Sequence, residues 1–548
     1  MGPEASLLPI TAVTIPVVTA LLIVLARRSP NVRDSILFIG AVVTFGVVAS
    51  MLPRVLDGEV PTTTIGEVVP GFEMTLRADG MGMVFAVLAS LLWVLASSYA
   101  VGYMRGGGEK HQTRFYTFYA LCLSTAFGVA FSGDLITFFI FYELLTATTY
   151  PRVTHKGNDE AVASGRKYLG YLLAGGALVL LGLVILVQRT GETAFVAGGF
   201  VGDALTPGLL ALTFLLFAIG FGTKAGLMPL HAWLPAAMVA PTPVSALLHA
   251  VAVVKAGVFA FGRLIGFVFG PEVLEGLWSA TFLAAVAGAT ILVASGIALR
   301  QDHLKRRLAF STIAHLAYIV LGFALLSRNG FEGGLLHILN HGALKITLFF
   351  CAGAIHVHLH LDHVSKLNGI GRKMPFTMSA FALASLGLAG LPPMGGFISK
   401  WRLVLGANDA EAWVLMGVMV GGGLLTAAYL FPIVYRAFFL PLPDPEAAVS
   451  GVDGAGPGAD GAGHHGADHP PHDAAPADDA AHGAPSPAGG DTLVADAPAR
   501  REPRDASPLM VVPLCLTAGL GLLLGLGDWF GVYELASQVS ASVFGVAP

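Results

Sequence analysis

Apolar runs long enough to cross a bilayer recur about fourteen times along this chain of 548 residues, and no other feature limits the possible fold as strongly. They lie near 6–26, 35–53, 79–103, 115–131, 133–151, 167–188, 207–227, 243–266, 278–299, 307–326, 333–357, 376–403, 411–439 and 508–527. About 20 residues of helix span the ~30 Å of hydrocarbon. Only 12% of the residues are charged, where a soluble protein carries roughly a quarter. One large core cannot absorb that deficit, so lipid must cover the apolar surface. The expected fold is an all-α polytopic membrane protein of about 14 transmembrane helices.

Loop charge supports that count. Arg27, Arg28 and Arg33 follow the first run, and Arg105, Lys110 and Arg114 the third. Arg152, Lys156, Arg166 and Lys167 follow the fifth, Arg300, Lys305, Arg306 and Arg307 the ninth, and Lys366, Arg372 and Lys373 the eleventh. All fall on one side, while the loops between, such as 54–78 and 404–411, are poorer in Lys and Arg. The positive-inside rule then places the N-terminus outside the cytoplasm of a cell-membrane protein. No basic region precedes the first run, which reads as a span and not a cleaved signal.

Net charge is −4 and basic residues sit in short clusters, so there is no nucleic-acid footprint. Cys122, Cys351 and Cys515 are far apart, lie in apolar stretches and have no metal or redox spacing. Residues 441–507 break the pattern: they are rich in Ala, Gly, Pro, Asp and His, without apolar periodicity. This segment reads as a disordered cytoplasmic linker before one last helix within 508–548. Its five histidines (His464, His465, His469, His472, His482) suit weak metal binding at most.

Ionisable residues inside spans are costly and point to function. Glu143 sits mid-run in FFIFYELLTATTY, Lys224 in IGFGTKAGLMPLHAWLP and Lys255 in LLHAVAVVKAGVFA. His337, His341 and Lys345 sit in LLHILNHGALKITLFF, and Lys400 follows LPPMGGF. Steps of four put 337, 341 and 345 near one helix face, about 6 Å of rise apart. Imidazole takes and gives protons near neutral pH, so such a column suits stepwise proton transfer. The alternatives are a polar helix–helix contact, or a metal pair in His-x-x-x-His, which lacks a suitably spaced third ligand.

Pro229, Pro235, Pro241 and Pro243 follow Lys224, and Pro392, Pro393, Gly395 and Gly396 precede Lys400. Proline removes a backbone hydrogen bond and bends a helix. In a membrane the freed groups are tolerated only inside protein or facing water. Paired broken helices in corresponding halves mark the transport site of inverted-repeat transporters. Two five-helix repeats are therefore expected in 111–270 and 271–440, after N-terminal helices in 1–110. Glu143 is expected to pair with Lys224, making the lysine's hold on its proton depend on helix geometry. His249 is expected to line the Lys255 cavity and His315 to join the central path. Asp134 is expected at a helix end, and His356, His358, His360 and His363 at an exposed one.

The strings FFIFYELLTATTYP, KAGLMPLHAWLPAAMVAPTPVSALLHAVAVVKAGVF, LKRRLAFSTIAHLAYIVLG, NHGALKITLFFCAGAI and LPPMGGFISKW together resemble the antiporter-like proton-conducting family. Its members include large subunits of Mrp-type cation/proton antiporters, antiporter-like subunits of respiratory complex I and relatives in membrane-bound hydrogenases. The resemblance covers roughly residues 80–440. It implies fourteen core helices, two inverted five-helix units and broken seventh and twelfth helices. It further implies a pairing of Glu143 with Lys224, a central relay of Lys255, His337, His341 and Lys345, and an outward opening at Lys400. Lysine at both 255 and 400 suits the D component of the Mrp type. Two features depart from the family pattern: Arg152 after TYP, and the His-rich insert.

The resulting expectation is a proton-translocating subunit of a multi-subunit Na+/H+ antiporter, without cofactor or bound metal. Its partners would be protons, Na+, further membrane subunits and lipid. The competing expectations are a pump module of a redox complex (complex I or a hydrogenase) and an inorganic-carbon uptake complex.

Overall fold

The computed structural model describes residues 3–442 and 505–547. Nearly all of the expected linker, with its five histidines, lies outside the described residues. Each of the fourteen apolar runs overlaps helix, and two of them, 243–266 and 376–403, are interrupted inside the run. The helices are α1 (Leu8–Leu25), α2 (Pro30–Leu56), α3 (Gly80–Gly106), α4 (Gln112–Phe131), α5 (Leu135–Val153), α6 (Asp159–Thr190) and α7 (Pro207–Ala225). They continue as α8 (Trp233–Ala236), α9 (Thr242–Ala250), α10 (Val253–Arg263), α11 (Pro271–Leu274), α12 (Trp278–Arg300), α13 (Leu304–Ala324) and α14 (Arg328–Leu359). The chain closes with α15 (Pro375–Ala389), α16 (Gly395–Asp409), α17 (Trp413–Phe439), α18 (Pro508–Leu526) and α19 (Val532–Val543). Among the described residues, eleven segments are long and apolar enough to cross a membrane. The chain is a multi-pass membrane protein.

Burial sorts these helices into rings. The most apolar window of α14, and of the segment 242–269, is wholly buried, and that of α13 is 94% buried. In α2 the share is 33% and in α17 28%. The outer helices expose Val43, Leu180, Phe282 and Leu424, an apolar band that lipid must cover. Helix α14, about 48 Å long at 1.5 Å per residue, packs against α3, α9, α13, α15, α16 and α18. The helices hidden from lipid carry six of the nine candidate site residues, His249, Lys255, His315, His337, His341 and Lys345, which keeps those groups out of hydrocarbon.

Both expected breaks are present. Helix α7 ends at Gly226 (φ 73°), and the chain passes through α8 and a single-turn 3-10 helix before α9. Helix α15 ends at Gly390 (φ 89°), and α16 begins at Gly395. Glycine suits both ends because this left-handed conformation costs it little. A further interruption was not expected: the run 243–266 divides at Val251–Ala252 between α9 and α10, and continues as π-helix over Leu264–Phe269.

Two segments depart from the sequence reading. The loop 54–78 contains strands β2 (Val60–Val69) and β3 (Phe72–Arg77), paired antiparallel, with β1 (Pro3–Ala5) parallel to β2. The β-branched run Thr62–Ile65 explains the strand, since such side chains fit a pleated surface. Beyond α18 a second helix, α19, packs on α3 and α14. Asp134 caps α5 by accepting from the Thr137 N–H at 2.7 Å, in agreement with its expected place at a helix end.

Candidate proton-relay site

Glu143 and Lys224 face each other between α5 and α7, with Lys224 Nζ 3.9 Å from Glu143 Oε1. Lys224 is fully buried and lies in the last turn of α7. Its ammonium also donates to the Tyr142 carbonyl at 2.5 Å and sits 3.2 Å from the centre of the Tyr142 ring. That carbonyl and the ring face both favour a cation. A Cβ at Gly176 would come within 2.6 Å of Glu143 Oε1, so the glycine on α6 leaves the carboxylate its room.

The centre of the bundle holds a row of polar side chains drawn from four segments. Lys255 Nζ on α10 lies 2.9 Å from His341 Nδ1 on α14. His315 on α13 inserts beside the two α14 histidines, with ring centres 5.4 Å from His341 and 5.3 Å from His337. His315 Nδ1 and His337 Nε2 are 3.1 Å apart, and His337 Nδ1 is 2.9 Å from Ser399 Oγ on α16. The order is therefore Lys255, His341, His315, His337, Ser399. Between His341 and His315 no hydrogen bond is made. Among the described residues neither of their Nε2 atoms, both buried, has a partner, leaving one donor or acceptor free on each side of that step.

Lys345 departs from the expected column. Its ammonium donates to Ser311 Oγ at 2.7 Å, and Ser311 lies 2.8 Å from the Tyr429 hydroxyl on α17. Successive steps of four residues turn a helix by roughly 40° each, so Lys345 is turned about 80° from His337 and meets a different neighbour. His249 on α9 is fully buried against the Phe349 ring at 4.8 Å, and neither ring nitrogen has a partner among the described residues. The break at Val251–Ala252 separates it from Lys255. Lys400 on α16, only partly buried, reaches back to the end of α15, donating to the Leu388 and Ala389 carbonyls at 2.7 and 3.2 Å. Those carbonyls, at a helix C-terminus, have no intrahelical donor, and a cation is favoured there. Tyr318 stands between this lysine and the row, its ring 5.1 Å from Lys400 Nζ and 5.6 Å from the His315 ring.

Ser311, Tyr318, Ser399, Tyr142 and Tyr429 were not singled out in the sequence. Ser311 and Tyr318 carried a readable signal, lying four residues before and three after His315 on one helix face. At the α6, α8, α13 and α14 ends a cavity of about 360 Å³ is lined by Lys156, Glu160, His303, Lys305, His356 and Asp362, among others. His356 Nδ1 is 2.9 Å from Asp362 Oδ1, and His363 Nδ1 3.1 Å from Asp302 Oδ2. His356 lies in the last turn of α14 and His363 in the loop beyond it, and both are engaged by carboxylates. Asp362, in the loop, is held below the usual carboxylate range chiefly by the His356 hydrogen bond.

A family described as "NADH:quinone oxidoreductase/Mrp antiporter, TM" matches residues 132–426. The chain is similar to the N subunit of NADH-quinone oxidoreductase from Desulforudis audaxviator, 34% identical over 446 residues, with 80% of this chain and 88% of that protein covered. It is 27% identical over 369 residues to the D subunit of the Na+/H+ antiporter from Alkalihalophilus pseudofirmus, covering 67% and 74% of the two chains. Among solved structures its fold matches a chain of the Mrp complex from Dietzia sp. DQ12-45-1b, with a TM-score of 0.78 at 22% identity, over 98% of this chain and 97% of that one. With breaks, buried lysines and central histidines all lying within or beside the matched residues, the chain belongs to the NADH:quinone oxidoreductase/Mrp antiporter transmembrane family.

Proposed function

We propose that this chain is the proton-translocating, D-type component of a Mrp-type Na+/H+ antiporter in the cell membrane. The observation that carries the reading is the buried row Lys255–His341–His315–His337–Ser399. Successive polar atoms lie 2.9–3.1 Å apart except at the His341–His315 step. Each imidazole can take a proton on one nitrogen and release one from the other. A ring rotation or a bridging water closes the open step. Protons enter by the polar cavity near Lys305, load the Glu143–Lys224 pair and Lys255, cross the row and leave past Tyr318 and Lys400. Lys345, with Ser311 and Tyr429, is a side branch that balances charge beside the row. Two inverted repeats in 111–270 and 271–440, and an N-terminus outside the cytoplasm, belong to the same proposal. Sodium exchange is coupled in partner subunits.

A second reading, an antiporter-like subunit of a redox-driven complex, is favoured by the higher identity to the NADH-quinone oxidoreductase relative. Partners copurifying with the chain separate the two: small antiporter subunits support the first, and quinone- or iron–sulfur-binding subunits the second. Lys224→Ala and Glu143→Ala are each expected to abolish sodium-dependent proton flux in everted vesicles. Normal flux from both variants, in a normally assembled complex, would remove the assignment.

A further inference from the structure

The C-terminal corner formed by α18 and α19 grips the second helix break and the row at once. Asn340 lies on α14 directly before His341 and is fully buried. On one side it abuts Gly395, the first residue of α16, where a Cβ would collide with the Asn340 side chain. On the other side its Oδ1 is 3.2 Å from the Tyr533 hydroxyl at the start of α19. The same hydroxyl donates to the Leu524 carbonyl in the last turns of α18 at 2.5 Å. A phenol has one proton, so the shorter bond takes it and the second contact is made as acceptor. Turning the Asn340 amide by half a turn lets its Nδ2, otherwise without a partner among the described residues, donate to Tyr533.

The rest of the corner is fitted to the break with little slack. Gly525, near the end of α18, rests on the Pro393 carbonyl and the Gly395 nitrogen, leaving no room for a side chain. Gly521 lies against Leu344 and Met394. Helix α19 is fastened at its far end, where Ser540 Oγ donates to the Arg328 carbonyl at the head of α14 at 2.8 Å. Its apolar face places Leu535 and Val539 against Gly80 of α3.

We propose that Tyr533 is a positioning residue, a latch by which the C-terminal corner sets α16 against α14 through Asn340. Ser399 lies one turn beyond Gly395, so the distance across the His337–Ser399 contact follows the seating of α16. Without the phenol hydroxyl, Asn340 is left buried with no partner, and the break is free to shift along α14. The effect on proton flux rests on the relay reading above. The effect on the helix break does not.

The test uses Tyr533→Phe in the whole complex, with Asn340→Ala as a second variant and His337→Ala as a control for the relay. Hydrogen–deuterium exchange over 395–400 is expected to quicken roughly tenfold in both latch variants, the factor given by the Asn340–Tyr533 hydrogen bond that both lose, at ordinary strength. Exchange in α1 and α2 stays unchanged. Flux per assembled complex falls about fivefold in Tyr533→Phe, with half-saturating sodium unaltered, an outcome that loss of assembly alone does not produce. Unchanged exchange over 395–400 in both variants overturns the latch whatever the flux. Faster exchange with full flux overturns the positioning role. Full flux from His337→Ala would instead remove the relay reading and leave the exchange result standing.

Discussion

Replacing Glu143 by Gln keeps the shape of the side chain and removes only its charge. With 3.9 Å between Lys224 Nζ and Glu143 Oε1, the attraction is about 4 kcal/mol at an effective dielectric of ~20. The Glu143 side chain is 23% exposed, so solvent screening reduces this to about 2 kcal/mol. Lys224 keeps the Tyr142 carbonyl and ring but loses its counter-charge, and a buried ammonium without one is destabilising. Glu143→Gln should therefore lower the thermal stability of the assembled complex. Lys224→Met, which removes the buried charge itself, should lower it less. The double variant should be more stable than the sum of the single losses implies, with a coupling of about 2 kcal/mol in a double-mutant cycle. Thermal unfolding of the purified complex measures the cycle, and vesicle flux should be lost in all three variants. Additive stability effects, within about 0.5 kcal/mol, would mean that the two groups do not act on each other. Full flux in Glu143→Gln would mean that the pair does not load the proton.

Two further outcomes follow from single residues. His315→Ala removes the one ring between His341 and His337, whose centres are 6.0 Å apart, and should reduce vesicle flux at least tenfold with assembly intact. Flux near that of the unmodified complex would show that protons bypass α13. His155, in the turn after α5, is buried, and burial together with nearby Arg114 lowers its pKa from 6.5 to about 4. A histidine held neutral in the fold is protonated more readily when unfolded. Stability is therefore present above pH 6.5 and lost as pH falls toward 4, by at most ~3 kcal/mol. The melting temperature should drop across that window by a larger amount than in His155→Gln, and equal drops would contradict the account.

The helices were legible because a bilayer imposes one length on every crossing, and apolar windows report that length directly. The elements that escaped notice obey other rules. Helix α19 has only twelve residues, too few for a spanning window, although Val532, Leu535, Ala536 and Val539 repeat at helical spacing. Strands β2 and β3 show no clean alternation, and their register shifts at Thr64/Gly66 and Glu67/Val69 fit that irregularity.

The candidate site was legible in its members and less so in its order. Spacing along α14 finds His337 and His341, but which side chain lies beside them is decided by how α13 packs. His315 therefore takes the place in the row that the regular spacing gave to Lys345. Asn340 and Tyr533 are joined only by the approach of segments 193 positions apart, which no local pattern encodes.

The most direct test of the relay starts at its first member. Lys255→Met removes the amine that meets His341 and preserves the apolar stem in a fully buried position. In the complex reconstituted in liposomes with an internal pH indicator, an imposed sodium gradient should then drive proton movement no faster than protein-free vesicles show, while subunit composition stays normal. Proton movement at the rate of the unmodified complex would contradict the account.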